Sequence, residues 1–201
     1  MKLYLVISQA DCGDRDFLEV AQAAIAGGVD TVQLREKDLP YEEFLHRAKA
    51  LHQLTRSAGV PLIINDAVEI AMEINAEGIH VGRNDEPPTR IRQRWKKCIG
   101  YSLEYLNQLE SPEAAAADYL GVSPVFATST KKDTVTVWEL EGLQKIRSLT
   151  SKPLVAIGGI GLHNAEAVLH AGADSLAVVS AICGAKDPYA AASQLKSYFQ
   201  I

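Results

Sequence analysis

The residues of this sequence that could do chemistry stand at the ends of short apolar runs. The run TVQL leads into Gln33-Leu34-Arg35-Glu36-Lys37, and alternation along an extended chain turns Gln33, Arg35 and Lys37 to one side. An amide beside two cations suits a phosphorylated ligand. Gln and Arg within an apolar strand are costly to bury unless they meet a partner, whereas a bare charge run would read as solvated loop. Asn65 and Asp66 follow PLII, and His80, Gly82 and Asp85 follow the next run. Two carboxylates at neighbouring strand ends can hold one hard cation, with water and phosphate oxygens completing its shell, the usual arrangement for Mg²⁺. Taken singly, Asp66 also reads as the cap of a helix starting at Ala67, and Asp85 as a loop carboxylate.

Later runs end on different chemistry. Ser102 follows CIGY with no base visible nearby in the sequence, and Thr128-Ser129-Thr130-Lys131-Lys132-Asp133 follows YLGVSPVFA. Hydroxyls, backbone N–H groups and lysines in one loop fit a phosphate; a flexible polar loop is the bland alternative. Gly158-Gly159-Ile160-Gly161 follows PLVAI, and Val179-Ser180-Ala181-Ile182 closes the last run. Glycines allow a phosphate to approach the backbone closely. The result is two anion sites, one with a metal and one without, as an enzyme joining a diphosphate ester to a phosphate ester would need.

The elements that must position these residues are legible as a repeat. AGGVDTVQLR, NAEGIHVG, AAADYLGVSPV and AGADSLAVVSAI each show small residues, an acidic or polar residue and an apolar run. This reads as a helix end, a turn and a buried strand. KLYLVIS, PLIIND, CIGYS and PLVAIGG supply four strands between them, all continuous apolar runs of the kind buried on both faces of a parallel sheet. Helices are expected at 18–25, 41–57, 68–74, 89–95, 111–116, 138–149, 164–171 and 189–199, the fifth being the weakest signal. Eight strand–helix units in 201 residues predict a single-domain (β/α)8 TIM barrel over 1–201, with its active site at the C-terminal strand ends and a phosphate site after strands seven and eight. An open doubly wound sheet is the alternative that the four-fold repeat disfavours.

Composition narrows the classes. Hydrophobic residues at 47% and charged residues at 22% are ordinary for a globular chain, and a net charge of −5 argues against nucleic acid as the main partner. Cys12, Cys98 and Cys183 form no CxxC pair, which points to reduced thiols and a cytoplasmic protein. No run is long enough to span a membrane, and the start turns acidic too soon for a secretory signal. A homo-oligomer is compatible with the sequence and not required by it. His80 reads as a packed core histidine, and His46, His52, His163 and His170 as surface residues of helical stretches.

Taken together, QLREK, ND, GIHVGRND, GYS, SPVFATSTKKD, AIGGI and VVSAI, in this order over nearly the full length, resemble the thiamine-phosphate synthase family. The resemblance implies a (β/α)8 barrel. It also implies condensation of 4-amino-2-methyl-5-hydroxymethylpyrimidine diphosphate with 4-methyl-5-hydroxyethylthiazole phosphate, or its carboxylated form, to thiamine phosphate and diphosphate. It places Gln33, Arg35, Lys37 and Asn65 in the pyrimidine-diphosphate site, joined by Ser102 and Lys131. Asp66 and Asp85 match the Mg²⁺ ligands. Thr128 and Thr130 match the thiazole-phosphate loop, and Gly159, Val179 and Ser180 the phosphate cup. Arg35, Lys37 and Lys131 are the cations expected to stabilise the departing diphosphate. The sequence departs from the family at Glu104, Ala127 and Ser123, where His, Pro and Gly are common. Two other readings stand beside this one. One is a lyase or isomerase with Lys37 as a Schiff-base lysine, which Arg35 and Glu36 beside it argue against. The other is a thiazole tautomerase or non-catalytic thiazole-phosphate binder on the same fold, which retention of Asp66, Asp85 and Lys131 argues against.

Overall fold

The apolar runs form strands because their residues are buried on both faces, inward against the barrel interior and outward against a coat of helices. The computed structural model describes residues 1–37, 39–128 and 136–199. In chain order these form β1 (Leu3–Ile7), α1 (Gln9–Cys12), α2 (Phe17–Ala26), β2 (Thr31–Leu34), α3 (Tyr41–Ser57), β3 (Leu62–Asn65), α4 (Val68–Glu73), β4 (Gly78–Val81), α5 (Pro88–Arg94), β5 (Cys98–Leu103), a 3₁₀ turn (Leu106–Glu110), α6 (Pro112–Ala116), β6 (Tyr119–Val122), α7 (Glu139–Leu149), β7 (Leu154–Ile157), α8 (Ala165–His170), β8 (Ser175–Val178), α9 (Ser180–Cys183) and α10 (Pro188–Ser197). The strands pair in sequence order, all parallel, and β8 closes on β1 through Leu3↔Leu176 and Leu5↔Val178. The expected TIM barrel is therefore the observed fold. Each expected helix appears within two residues of its forecast bounds. The four-residue α1 and α9 and the 3₁₀ turn were not expected, because one helical turn is too short to show a period. Local bonding makes α1: the Ser8 hydroxyl accepts from the Asp11 N–H at 3.1 Å.

Two apolar regions result. The larger lies between sheet and helices, where α3 buries Phe44, Leu45, Ala48 and Leu51. Leu51 is fully buried there, so Leu51→Ala should cost about 2–5 kcal/mol. The smaller region is the barrel interior, built from Tyr4, Val6, Ile63, Tyr119, Val155 and Ala177.

The repeat has a structural cause at the N-terminal end of the barrel. The acidic residue before each even strand is Asp30, Glu77, Asp118 or Asp174. Its carboxylate accepts from an N–H at the start of the preceding odd strand, at Leu3 (2.8 Å), Leu62 (2.9 Å), Ile99 (2.8 Å) and Leu154 (2.8 Å). Its own N–H donates back to the carbonyl of the same residue. Each acid also meets a helix-borne base: Lys196, His52, Arg92 and Arg147 respectively. This explains why His52, expected on the surface, is buried. Among the described residues no helix is long and apolar enough to cross a membrane.

Candidate active site

At the C-terminal strand ends the barrel opens into a cavity of roughly 490 Å³. Gln33, Arg35, Lys37, Asn65, Asp66, Asp85, Ser102, Thr128, Gly159, Val179 and Ser180 all line it. Thr130 and Lys131 lie outside the described residues.

The β2 segment delivers its cations by alternation. Gln33 is buried in the barrel and its Nε2 donates to the Tyr4 hydroxyl at 2.7 Å, the partner that a buried amide requires. Glu36 turns the opposite way. Its carboxylate accepts from the Gln9 N–H at 3.1 Å and from Arg47 at 2.7 Å, with 7% of the side chain exposed. This clamp anchors the segment from behind and leaves Arg35 and Lys37 on the cavity side.

The carboxylates converge. Asp66 sits just past β3 with a left-handed φ of 60°, a conformation in which Asp and Asn are the least strained of the non-glycine residues. Its side chain does not cap α4. Ala67 occupies the cap position without a side-chain bond, so the capping alternative falls away and the carboxylate is left to the cavity. Asp85 accepts from the Gly82 N–H at 2.7 Å. Burial, then the hydrogen bonding and charge of Asp85, push the Asp66 carboxyl up to about 6, against the opposing pull of Lys37, whose Nζ is 3.5 Å away. A carboxylate pair whose Asp66 member is raised, beside one half-exposed lysine, is a donor set short of positive charge, which suits a divalent cation. Among the described residues no group of three or more His, Cys, Asp or Glu could hold a metal.

Across the mouth, β7 and β8 end in the glycine segment and α9. Gly158 and Gly159 have φ of 104° and 64°. A Cβ on Gly158 would lie 2.5 Å from Pro124 Cβ, and one on Gly159 2.8 Å from Phe126 Cβ. These glycines are thus demanded by the loop after β6 as well as by any ligand. The Asn164 side chain ties the segment down, accepting from Gly161 N–H and donating to Gly159 O, both at 2.9 Å. In an eight-stranded ring β7 and β8 face β3 and β4, so the glycine segment and the carboxylates stand on opposite sides of one cavity.

Among the polar side chains that line the cavity, Tyr4, Tyr119, Asp11 and His163 escape the sequence reading. His80 was misread as a packed core residue. It faces the cavity, and its Nε2 is 2.8 Å from Ser102 Oγ while its Nδ1 is 2.9 Å from the Tyr119 hydroxyl. Ser102 therefore has an imidazole partner from β4. A usable signal was present: a tyrosine at an inward strand position must find a partner for its hydroxyl.

Comparison with known proteins agrees with this geometry. A family model described as thiamine monophosphate synthase matches residues 3–182. The thiamine-phosphate synthase of Albidiferax ferrireducens is 48% identical over 198 residues, covering 98% of this chain and 90% of that protein. That of Chloroflexus aurantiacus is 43% identical over 201 residues, covering 100% and 93%. A solved thiamine phosphate pyrophosphorylase from Pyrococcus furiosus superposes with a TM-score of 0.90 at 34% identity, over 99% of this chain and 95% of that one. With a barrel, a cavity and a sequence that agree along almost the whole chain, the protein belongs to the thiamine monophosphate synthase family and is an enzyme of thiamine biosynthesis.

Proposed function

We propose that this enzyme joins 4-amino-2-methyl-5-hydroxymethylpyrimidine diphosphate to 4-methyl-5-hydroxyethylthiazole phosphate, or its carboxylated form, with release of diphosphate. The observation that carries the reading is one cavity holding a carboxylate pair and two cations on one side and a glycine segment on the other. A diphosphate and a phosphate can then be bound at once with the reacting carbon of one substrate and the reacting nitrogen of the other between them. Asp66 and Asp85 would hold Mg²⁺, which supplies charge neutralisation to the leaving diphosphate when bound. Arg35 and Lys37, with Lys131, oppose the charge that develops as the C–O bond breaks. Gln33, Asn65 and Ser102 bind the pyrimidine-diphosphate half. Thr128 and Thr130, with Gly159, Val179 and Ser180, bind the thiazole phosphate and so bring its nitrogen to the exocyclic carbon. That nitrogen is already nucleophilic and has no proton to lose, so the bond-forming step needs no general base.

The test is an assay for thiamine phosphate with both substrates and Mg²⁺. Product that requires all three supports the reading, and no product with either thiazole overturns it.

A further inference from the structure

Along the lining of the cavity a chain of hydrogen bonds crosses five strands. Gln33 Nε2 on β2 donates to Tyr4 on β1 at 2.7 Å, and the Tyr4 and Tyr119 hydroxyls are 3.0 Å apart. Tyr119 on β6 meets His80 Nδ1 on β4 at 2.9 Å, and His80 Nε2 meets Ser102 Oγ on β5 at 2.8 Å. Room for the chain is built into the sheet. A Cβ on Gly100 would overlap the Tyr119 ring and lie 2.5 Å from His80 Nδ1, and one on Gly121 would lie 3.0 Å from His80 Cε1. Neither glycine has a positive φ, so it is space and not backbone freedom that they supply.

The polarity of such a chain follows from counting protons. A tyrosine hydroxyl has one proton to give. Burial pushes both phenols up, so both keep that proton. With Gln33 donating to Tyr4, the Tyr4 proton goes to Tyr119 and the Tyr119 proton goes to His80 Nδ1. A neutral imidazole that accepts at Nδ1 carries its proton on Nε2 and donates it to Ser102. The Ser102 proton is then directed into the cavity. Reversing the Gln33 amide would reverse every link and make Ser102 an acceptor.

We infer that Tyr119, backed by Tyr4, is a positioning residue that holds neutral His80 as the Nε2–H tautomer and thereby makes Ser102 a standing hydrogen-bond donor to an anionic oxygen in the cavity. The proposed reaction enters only in naming that oxygen as part of the pyrimidine diphosphate. With that tautomer Ser102 has no nucleophilic part, since its Oγ accepts a hydrogen bond from His80 and donates none to it.

The tautomer can be read directly. Long-range ¹H–¹⁵N correlation on the full ¹⁵N-labelled chain at pH 8 without ligands, assigned with His80→Gln, should show a pyrrole-like Nε2 and a pyridine-like Nδ1. A pyrrole-like Nδ1 overturns the proposal. Tyr119→Phe should convert the single tautomer into a mixture, and an unchanged tautomer overturns the role of Tyr119. Should that variant not fold, Tyr4→Phe carries the same reading with the same two outcomes. In turnover, Tyr119→Phe should lower kcat about 10-fold with KM changed by less than about 3-fold, the scale of one hydrogen bond weakened in the transition state. In a Ser102→Ala background it should cause no further loss; full additivity would show that the two residues do not act through one chain. The spectra need no substrate, so they stand or fall apart from the assay for thiamine phosphate.

Discussion

Replacing Asp66 by Asn should make the metal-free protein more stable while it disables the enzyme. The folded chain holds the Asp66 carboxyl at about 6 against an ordinary 3.8, chiefly through burial and then through Asp85. A raised carboxyl binds more protons folded than unfolded, so the stability it contributes falls as pH rises from about 4 to about 6 and is level above that. The full penalty of ionising it in the fold is about 3 kcal/mol. With 28% of the side chain exposed, solvent screening reduces this to about 2 kcal/mol. Asn removes the charge, keeps the size and tolerates the φ of 60°. Lys37 loses an ion-pair partner, but its own side chain is 45% exposed and the 3.5 Å pair contributes little. Thermal denaturation in EDTA at pH 8 should therefore give Asp66→Asn a melting temperature higher by about 4–8 °C, at about 2–4 °C per kcal/mol for a chain of this size. The advantage should shrink to about half near pH 5 and nearly vanish at pH 4. Millimolar Mg²⁺ should raise the melting temperature of the wild type and leave the variant almost unmoved. A variant less stable than wild type at pH 8, or a gain independent of pH, would refute the reasoning.

The other expectations address the cavity in turn. Asp66→Asn and Asp85→Asn should each lower activity at least ~10-fold, and full turnover in excess EDTA would count against a metal role. Ser180→Asp should weaken thiazole phosphate in calorimetric titration by like-charge repulsion while sparing pyrimidine diphosphate; equal losses would mean that the start of α9 does not hold the phosphate. Lys131→Ala should slow single-turnover formation of thiamine phosphate more than it weakens binding, and an unchanged single-turnover rate would make Lys131 an anchor only. Gly158→Ala should destabilise the fold by at least about 1–3 kcal/mol, read by denaturant unfolding, because a Cβ meets Pro124 and the φ is 104°.

Much of this molecule is local and therefore readable from the chain. Strand identity follows from continuous apolar runs, and the turn of Gln33, Arg35 and Lys37 toward one side follows from the two-residue period of an extended strand. The end of each strand must face the mouth of a closed barrel, so residues placed there by sequence, from Asp66 and Asp85 to Gly159 and Ser180, do line one cavity. The repeat announced four equivalent acidic residues, although not that each binds the start of the strand before it. What the tertiary structure alone decided are contacts across neighbouring strands. His80 stands beside Gly100 and Ser102 beside Gly121, and this register brings the imidazole to a serine 22 residues away and opens space for Tyr119. His52, buried on α3, is likewise paired with a residue distant in sequence, Glu77 just before β4. Periodicity says which face of a strand a side chain takes. How far one strand slides against the next is set by closure of the whole ring, and that choice makes partners of residues that no local pattern links.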